Sequence, residues 1–202
     1  FGEIVAERPD RDFEAAFVDE NLKLVGSAYW DDRLNYQFAD PTLAPHFRAV
    51  NAALKNACNV QLYDIDVGHK RMLFKSTGPQ EPGAFQIYDR DKRALEYIGH
   101  CKPWLRPERL ARTEALKVRT RDGAEIPAYL TIPLAADGKP LPMVVMPHGG
   151  PEARDYLDYD TTAQALAARG WLVLQPNFRG SGGYGRAFAD LGKRQWADRM
   201  QE

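Results

Sequence analysis

The sequence predicts two architectures in one chain: an antiparallel, strand-rich half followed by an α/β unit built on a largely parallel sheet. Three observations carry that prediction. Short runs of strand-forming residues recur through the first hundred positions, a proline- and arginine-rich stretch interrupts them at residues 102–114, and apolar strands then alternate with helical segments. With 202 residues, 44% hydrophobic and 27% charged, the chain has a globular composition that suits one sizeable core or two modest ones.

The strand-rich half, residues 1–102, reads FGEIVAERP, FEAAFV, LVGSAYW and LNYQFAD, then VQLYDIDV, RMLFKS, AFQIYD and ALEYIG. Gly68, the TGPQEPG run and the charged DRDK separate the last four. Four short successive antiparallel strands trace one propeller blade, and a sandwich fragment gives a similar pattern. One segment differs. In APHFRAVNAALKNA, residues 44–57, Phe47, Val50 and Leu54 fall at helical spacing and Pro45 suits a first turn, so a helix with a core-packing stripe is expected.

Charge and composition exclude several classes of function. The 27 Lys+Arg balance 28 Asp+Glu, with no basic stripe, so neither a nucleic acid nor an anionic membrane is an expected partner. No apolar run approaches the roughly 20 residues of a membrane span and no signal segment opens the chain, which suits a soluble protein of cytoplasm or periplasm. Cys58 and Cys101 lack metal-ligand spacing and read as buried free thiols, a single disulfide being the alternative; no metal or cofactor is expected. The absence of an initiator Met, and the closing GKRQWADRMQE with Trp196 and Met200 at helical spacing, read as a piece of a longer polypeptide whose last helix is still in progress.

KPWLRPERLARTE, residues 102–114, suits an inter-domain connection. ALKVRT and EIPAYLTIP flank the turn Arg121-Asp122-Gly123 and read as a hairpin. PMVVMP and WLVLQP read as buried strands, and TTAQALAAR between them as a helix stopped by Gly170. This alternation is the α/β signature, with a largely parallel sheet covered on both faces.

Two glycine-rich turns follow the two buried strands. In VVMPHGGPEAR, a strand ending at Pro147 runs into His148, Gly149 and Gly150, leaving backbone amides uncovered at the carboxyl edge of the sheet, where open α/β sheets bind ligands. Such amides suit a negative oxygen; a bare Gly-Gly also suits a tight turn. PNFRGSGGYGRAF, residues 176–188, matches neither GxxxxGK[ST] nor the GxGxxG spacing. Ser181 does not stand in a nucleophile elbow either, since Arg179 occupies the place of the required glycine. Asp155, Asp158 and Asp160 suggest a cation site or, more simply, a cap for the helix beginning at Thr161. Arg179 reads as a prop of its own loop and Arg154 as a solvated side chain, with a substrate carboxylate the sharper alternative for both. Trp104 and Trp171 read as packing residues.

PHGGPEAR, LAARGWLVLQPNFRGSGGYGRAF and Trp196, in that order, resemble the catalytic domain of the prolyl oligopeptidase family of serine peptidases, in its acylaminoacyl-peptidase and dipeptidyl-peptidase-like branch. RTRDGAEIPAYLTIP resembles that family's opening hairpin and PWLRPERLA its connection from the propeller; the resemblance covers residues 103–202. It implies an α/β-hydrolase domain capped by a seven-bladed β-propeller. Residues 1–102 would be C-terminal blades, 103–113 the connection, and 114–202 the N-terminal half of the hydrolase domain, its sheet incomplete. The amides of Gly149 and Gly150 would form one arm of an oxyanion hole, with His148 positioning the loop. Other branches carry a donating Tyr at the place of His148, a departure that favours the main chain as donor here.

The resemblance also shows what is missing. None of the serines, Ser27, Ser76 and Ser181, stands in GxSxG, and of His46, His69, His100 and His148 the first three lie in the strand-rich half. The Ser-His-Asp triad would lie beyond residue 202, because hydrolases of this fold carry nucleophile, acid and histidine in that order after the next strand. The implied parent is a serine peptidase acting on peptide or acyl-peptide bonds through an acyl-enzyme, and this segment alone would be inactive. Its partners would be that substrate and the remainder of its own hydrolase domain, and a homo-oligomer is compatible. A carboxylesterase of the same fold and a non-catalytic binding homologue are the alternatives.

Overall fold

The computed structural model describes residues 7–200 apart from 20, 56, 137 and 139. The expected strand at FGEIVAERP therefore falls largely outside the described residues. β1 (Phe13–Val18), β2 (Leu24–Trp30) and β3 (Leu34–Phe38) form a three-stranded antiparallel meander. Helix α1 (Leu43–Ala53) follows, and β4 (Asn59–Ile65), β5 (Arg71–Gly78), β6 (Glu81–Asp89) and β7 (Ala94–His100) form a four-stranded antiparallel meander. Consecutive strands pair because each link is a short turn, as at Glu81, which sits opposite Gly78.

The helix expected at 44–57 is shorter than its apolar spacing suggests. It stops at Ala53 because Lys55 takes a positive φ of 56°. Its stripe does what the periodicity implies: Val50 and Leu43 are buried with Val25, Val60, Met72 and Phe74. Phe47 lies 4.4 Å from Tyr36 and 6.0 Å from Phe74, ring to ring, which welds α1 between the two sheets.

The second half is a mixed sheet in the order β10-β11-β9-β8 and not the largely parallel one expected: among the described strands only β10–β11 is parallel, because β9 returns from β8 by a hairpin and pairs antiparallel to β11. β8 (Arg112–Arg119) and β9 (Glu125–Ile132) are the hairpin, and β10 (Met143–Val145) runs parallel to β11 (Leu172–Pro176). Helix α2 (Thr161–Ala167) makes the crossover between them, and Asp160 caps it by accepting the Ala163 amide at 2.7 Å. Gly170, at φ +88°, turns the chain out of α2.

Several further sequence expectations are corrected. PMVVMP, expected as a buried strand, forms β10 with Met143 and Val145 exposed, since β10 is an edge strand among the described ones. Residues 191–200 form turns and no helix, because Gly192 packs against Gly180 and Arg194 and Ala197 adopt left-handed backbone. The helix in this region is the short α3 (Gly185–Asp190), which the sequence reading did not place. Cys58 and Cys101 are both free, and only Cys58 is buried. Trp104 and Trp171 are exposed at 73% and 42%, so neither is a core packing residue among the described ones.

Candidate active site

The HGG turn stands where β10 ends. Met146 extends the parallel pairing by donating to the Leu174 carbonyl at 2.8 Å, after which the chain leaves the sheet. Gly150 takes φ +134°, and a Cβ there would sit 2.7 Å from the Ala153 nitrogen, so no other residue fits without a shift. Gly149 has open space around it. Both glycines are exposed, and among the described residues no acceptor takes the amide N–H of either.

The two glycine-rich turns pack on each other. Gly182 donates to the Ala153 carbonyl at 3.0 Å, and a Cβ on Gly182 would overlap the Glu152 carbonyl oxygen at 2.3 Å. The glycine content of RGSGG thus reflects a close approach between backbones.

His148 is half-buried between the turns. Its ring stacks on Phe178 with centroids 4.4 Å apart and 18° between planes. Nδ1 lies 2.9 Å from the Gly149 carbonyl and Nε2 2.8 Å from Ser181 Oγ. Ser181 is fully buried and donates its hydroxyl to the Phe178 carbonyl at 2.7 Å, so it has no access to a substrate carbonyl. His46 lies elsewhere, 3.1 Å from the Tyr88 hydroxyl between α1 and the four-stranded sheet.

Arg154 is not the solvated side chain expected from sequence. It is 8% exposed and donates to the Tyr184 hydroxyl at 2.9 Å and to the Tyr129 hydroxyl and Asp31 carbonyl, each at 3.3 Å. The rings of Tyr184 and Tyr156 lie 4.2 and 4.9 Å from its guanidinium carbon. Arg179 is the internal prop expected, donating to Thr120 at 3.0 Å and to Asp122, which ties its loop to the β8–β9 turn.

The three aspartates have separate tasks. Asp160 caps α2, Asp158 accepts from the Thr77 hydroxyl at 2.9 Å, and Asp155 accepts from Gln175 at 3.2 Å. Asn177, which sequence reasoning passed over, clamps the Asp155 main chain: its Oδ1 takes the Asp155 amide at 2.7 Å while its Nδ2 donates to the Asp155 carbonyl at 3.1 Å. Burial pushes the Asp155 carboxyl above its ordinary range, opposed in part by the nearby His148. Among the described residues no group of His, Cys, Asp or Glu is placed to hold a metal ion. No described helix is long and apolar enough to cross a membrane.

A cavity of about 670 Å³ opens beside the HGG turn. Its wall includes Pro147, His148 and Gly150, the sheet residues Val145 and Leu174, and Trp196. Unpaired amides on exposed residues at the end of a parallel strand, next to an apolar cleft, can stabilise a negative oxygen on a ligand held there.

The sequence pattern of the prolyl oligopeptidase family matches residues 157–202. Dipeptidyl aminopeptidase BIII of Pseudoxanthomonas mexicana is 31% identical over 177 residues, covering 84% of this chain and 25% of that protein. Dipeptidyl peptidase family member 6 of Caenorhabditis elegans is 30% identical over 172 residues, covering 75% of this chain and 23% of that protein. Among solved structures, the acylaminoacyl peptidase of Pyrococcus horikoshii superposes with a TM-score of 0.69 over 95% of this chain and 29% of its own, at 17% identity, a likeness of fold. The chain spans 25% and 23% of the length of these two curated relatives.

Proposed function

The chain belongs to the prolyl oligopeptidase family, and from that premise we propose that its full-length protein is a serine peptidase cleaving peptide or acyl-peptide bonds through an acyl-enzyme. In this reading β4–β7 are a propeller blade, β1–β3 belong to the preceding one, and residues 114–202 are the first part of an α/β-hydrolase domain. The triad lies beyond residue 202 and this segment alone is inactive.

One observation carries the reading: Gly149 and Gly150 are exposed residues whose amides have no acceptor among the described residues, and they follow a parallel strand where Gly150 lines a cavity. The carbonyl oxygen of a scissile bond gains charge in the tetrahedral transition state, and each fixed donor aimed at it lowers the barrier by about 3–4 kcal/mol. One of these two amides would serve as such a donor, and His148 would position the loop. The residue after the nucleophile would supply the second donor.

The test uses the full-length protein. A fluorophosphonate probe should label one serine, because labelling needs an activated hydroxyl. Absence of labelling would leave only a binding role. Turnover of acyl-peptide amides and dipeptidyl amides should exceed that of long-chain esters, and the reverse order would point to an esterase.

A further inference from the structure

We propose that Ser181 and Asp12 are positioning residues for the oxyanion loop, and that through them the strand-rich half of the chain holds the geometry of the catalytic turn. The inference rests on the reading that the Gly149 or Gly150 amide receives the developing oxyanion.

The connection is continuous. Asp12 stands immediately before β1 of the three-stranded sheet, and its Oδ2 accepts the Gly183 amide at 2.7 Å, across 171 residues of sequence. Two residues earlier in the same loop, Ser181 meets His148 Nε2 at 2.8 Å, and His148 Nδ1 lies 2.9 Å from the carbonyl of Gly149. The Gly182 amide bonds Ala153, on the far side of the HGG turn. The loop 181–183 is therefore held by the strand-rich half at one end and grips the HGG turn on both of its flanks.

Ser181 also governs how His148 bonds. The hydroxyl has one proton. When Phe178 receives it at 2.7 Å, the oxygen can only accept from Nε2–H, and in the neutral ring Nδ1 then faces the Gly149 carbonyl without a proton. When the hydroxyl turns to Nε2, Nδ1–H reaches Gly149 and the bond to Phe178 is lost. In both arrangements the ring is pinned through Ser181. Without that hydroxyl, only the Phe178 stack and the local Gly149 contact hold it. A bulkier or purely apolar neighbour would not replace this, since the site is fully buried.

A misplaced oxyanion donor lowers the rate of the chemical step more than substrate affinity. In the full-length protein, with an aminoacyl or dipeptidyl p-nitroanilide as substrate, Ser181→Ala should lower kcat about tenfold with KM within about twofold. Asp12→Ala should lower kcat about threefold, and Asp12→Asn, which keeps an acceptor oxygen, should restore most of it. The double variant Asp12→Ala with Ser181→Ala should fall short of the product of the two single effects, because both act on one loop. If Ser181→Ala does not fold, Ser181→Cys, similar in size with a weaker acceptor, bears the same expectation. A Ser181 variant with kcat within twofold of wild type, effects confined to KM, or effects that multiply independently would overturn the inference. Labelling of the wild-type protein by the fluorophosphonate separates the two ideas. Labelled protein with unaltered variants removes only the positioning role, whereas unlabelled protein removes the catalytic reading and this inference with it.

Discussion

The side-chain amide of Asn59, at the first position of β4, donates to the carbonyl of Leu157 at 2.9 Å, joining the four-stranded sheet to the loop before α2 across 98 residues of sequence. The same side chain accepts the Leu34 amide through Oδ1 at 3.2 Å, so one buried residue binds two sheets and a loop. Nearby, Gln164 donates to the carbonyls of Pro79 and Ala111 and accepts the Ala111 amide. Asn59 and Gln164 thus join the two halves through buried side chains that bond on both sides. Asn59→Ala leaves a donor and an acceptor unpaired, and should cost about 2–4 kcal/mol. The midpoint of urea unfolding measures it, and an unchanged midpoint would show that the junction does not contribute to stability.

Asp122 and Arg179 define an acid-sensitive contact. The Thr120 hydroxyl, then the Arg179 guanidinium, hold the Asp122 carboxyl down at about 2. An unfolded Asp titrates near 3.9, so the folded state binds the proton less well and the contact stabilises fully above about pH 4. That contribution fades as pH falls through 2. The difference in melting temperature between wild type and Asp122→Asn should therefore be largest at neutral pH and shrink between pH 4 and pH 2. A difference that stays constant across that interval would contradict the assignment.

Asp158 should behave with the opposite sign. Burial raises its carboxyl above the ordinary range, although the Tyr159 amide and the Thr77 hydroxyl stabilise the charge. The native state then holds the proton more tightly than the unfolded chain, and stability declines as pH rises from about 4 through the raised folded value. Asp158→Asn should lack this decline and gain relative to wild type from pH 4 to pH 8. Urea midpoints at pH 5 and pH 8 give the comparison, and a variant that loses ground with rising pH would reverse the expected sign.

Adjacent glycines of the HGG turn should respond differently to substitution. Gly150→Ala places a Cβ 2.7 Å from the Ala153 nitrogen at φ +134°, whereas Gly149→Ala meets open space. The first should cost about 1–3 kcal/mol and the second much less, read from thermal unfolding. In the full-length protein Gly150→Ala should also lower kcat about 10²–10³-fold under the proposed function. Equal tolerance at both positions would show that the turn does not require its left-handed residue.

Local pattern alone determined much of this protein. FEAAFV and LVGSAYW became β1 and β2 at the residues their strand-forming composition marks, the RDG turn closed β8 onto β9, and Asp160 capped α2, since each depends on neighbours close in sequence. The glycines of HGGP and RGSGG marked two turns at strand ends, and with the order of motifs they pointed to the family. What those glycines serve was decided only in three dimensions. Gly182 has no side chain because the Glu152 carbonyl lies against it, and Arg154 is buried because Tyr129 and Tyr184 converge on it from β9 and the loop before α3. The turns at 191–200 replace the expected helix because Gly180 holds Gly192 in place. Asp12 carried no mark in sequence, since the amide it binds is 171 residues away. Periodicity records which faces are apolar, but the partner of a polar group is set by the packing of distant segments, and here that packing joins the site to the strand-rich half.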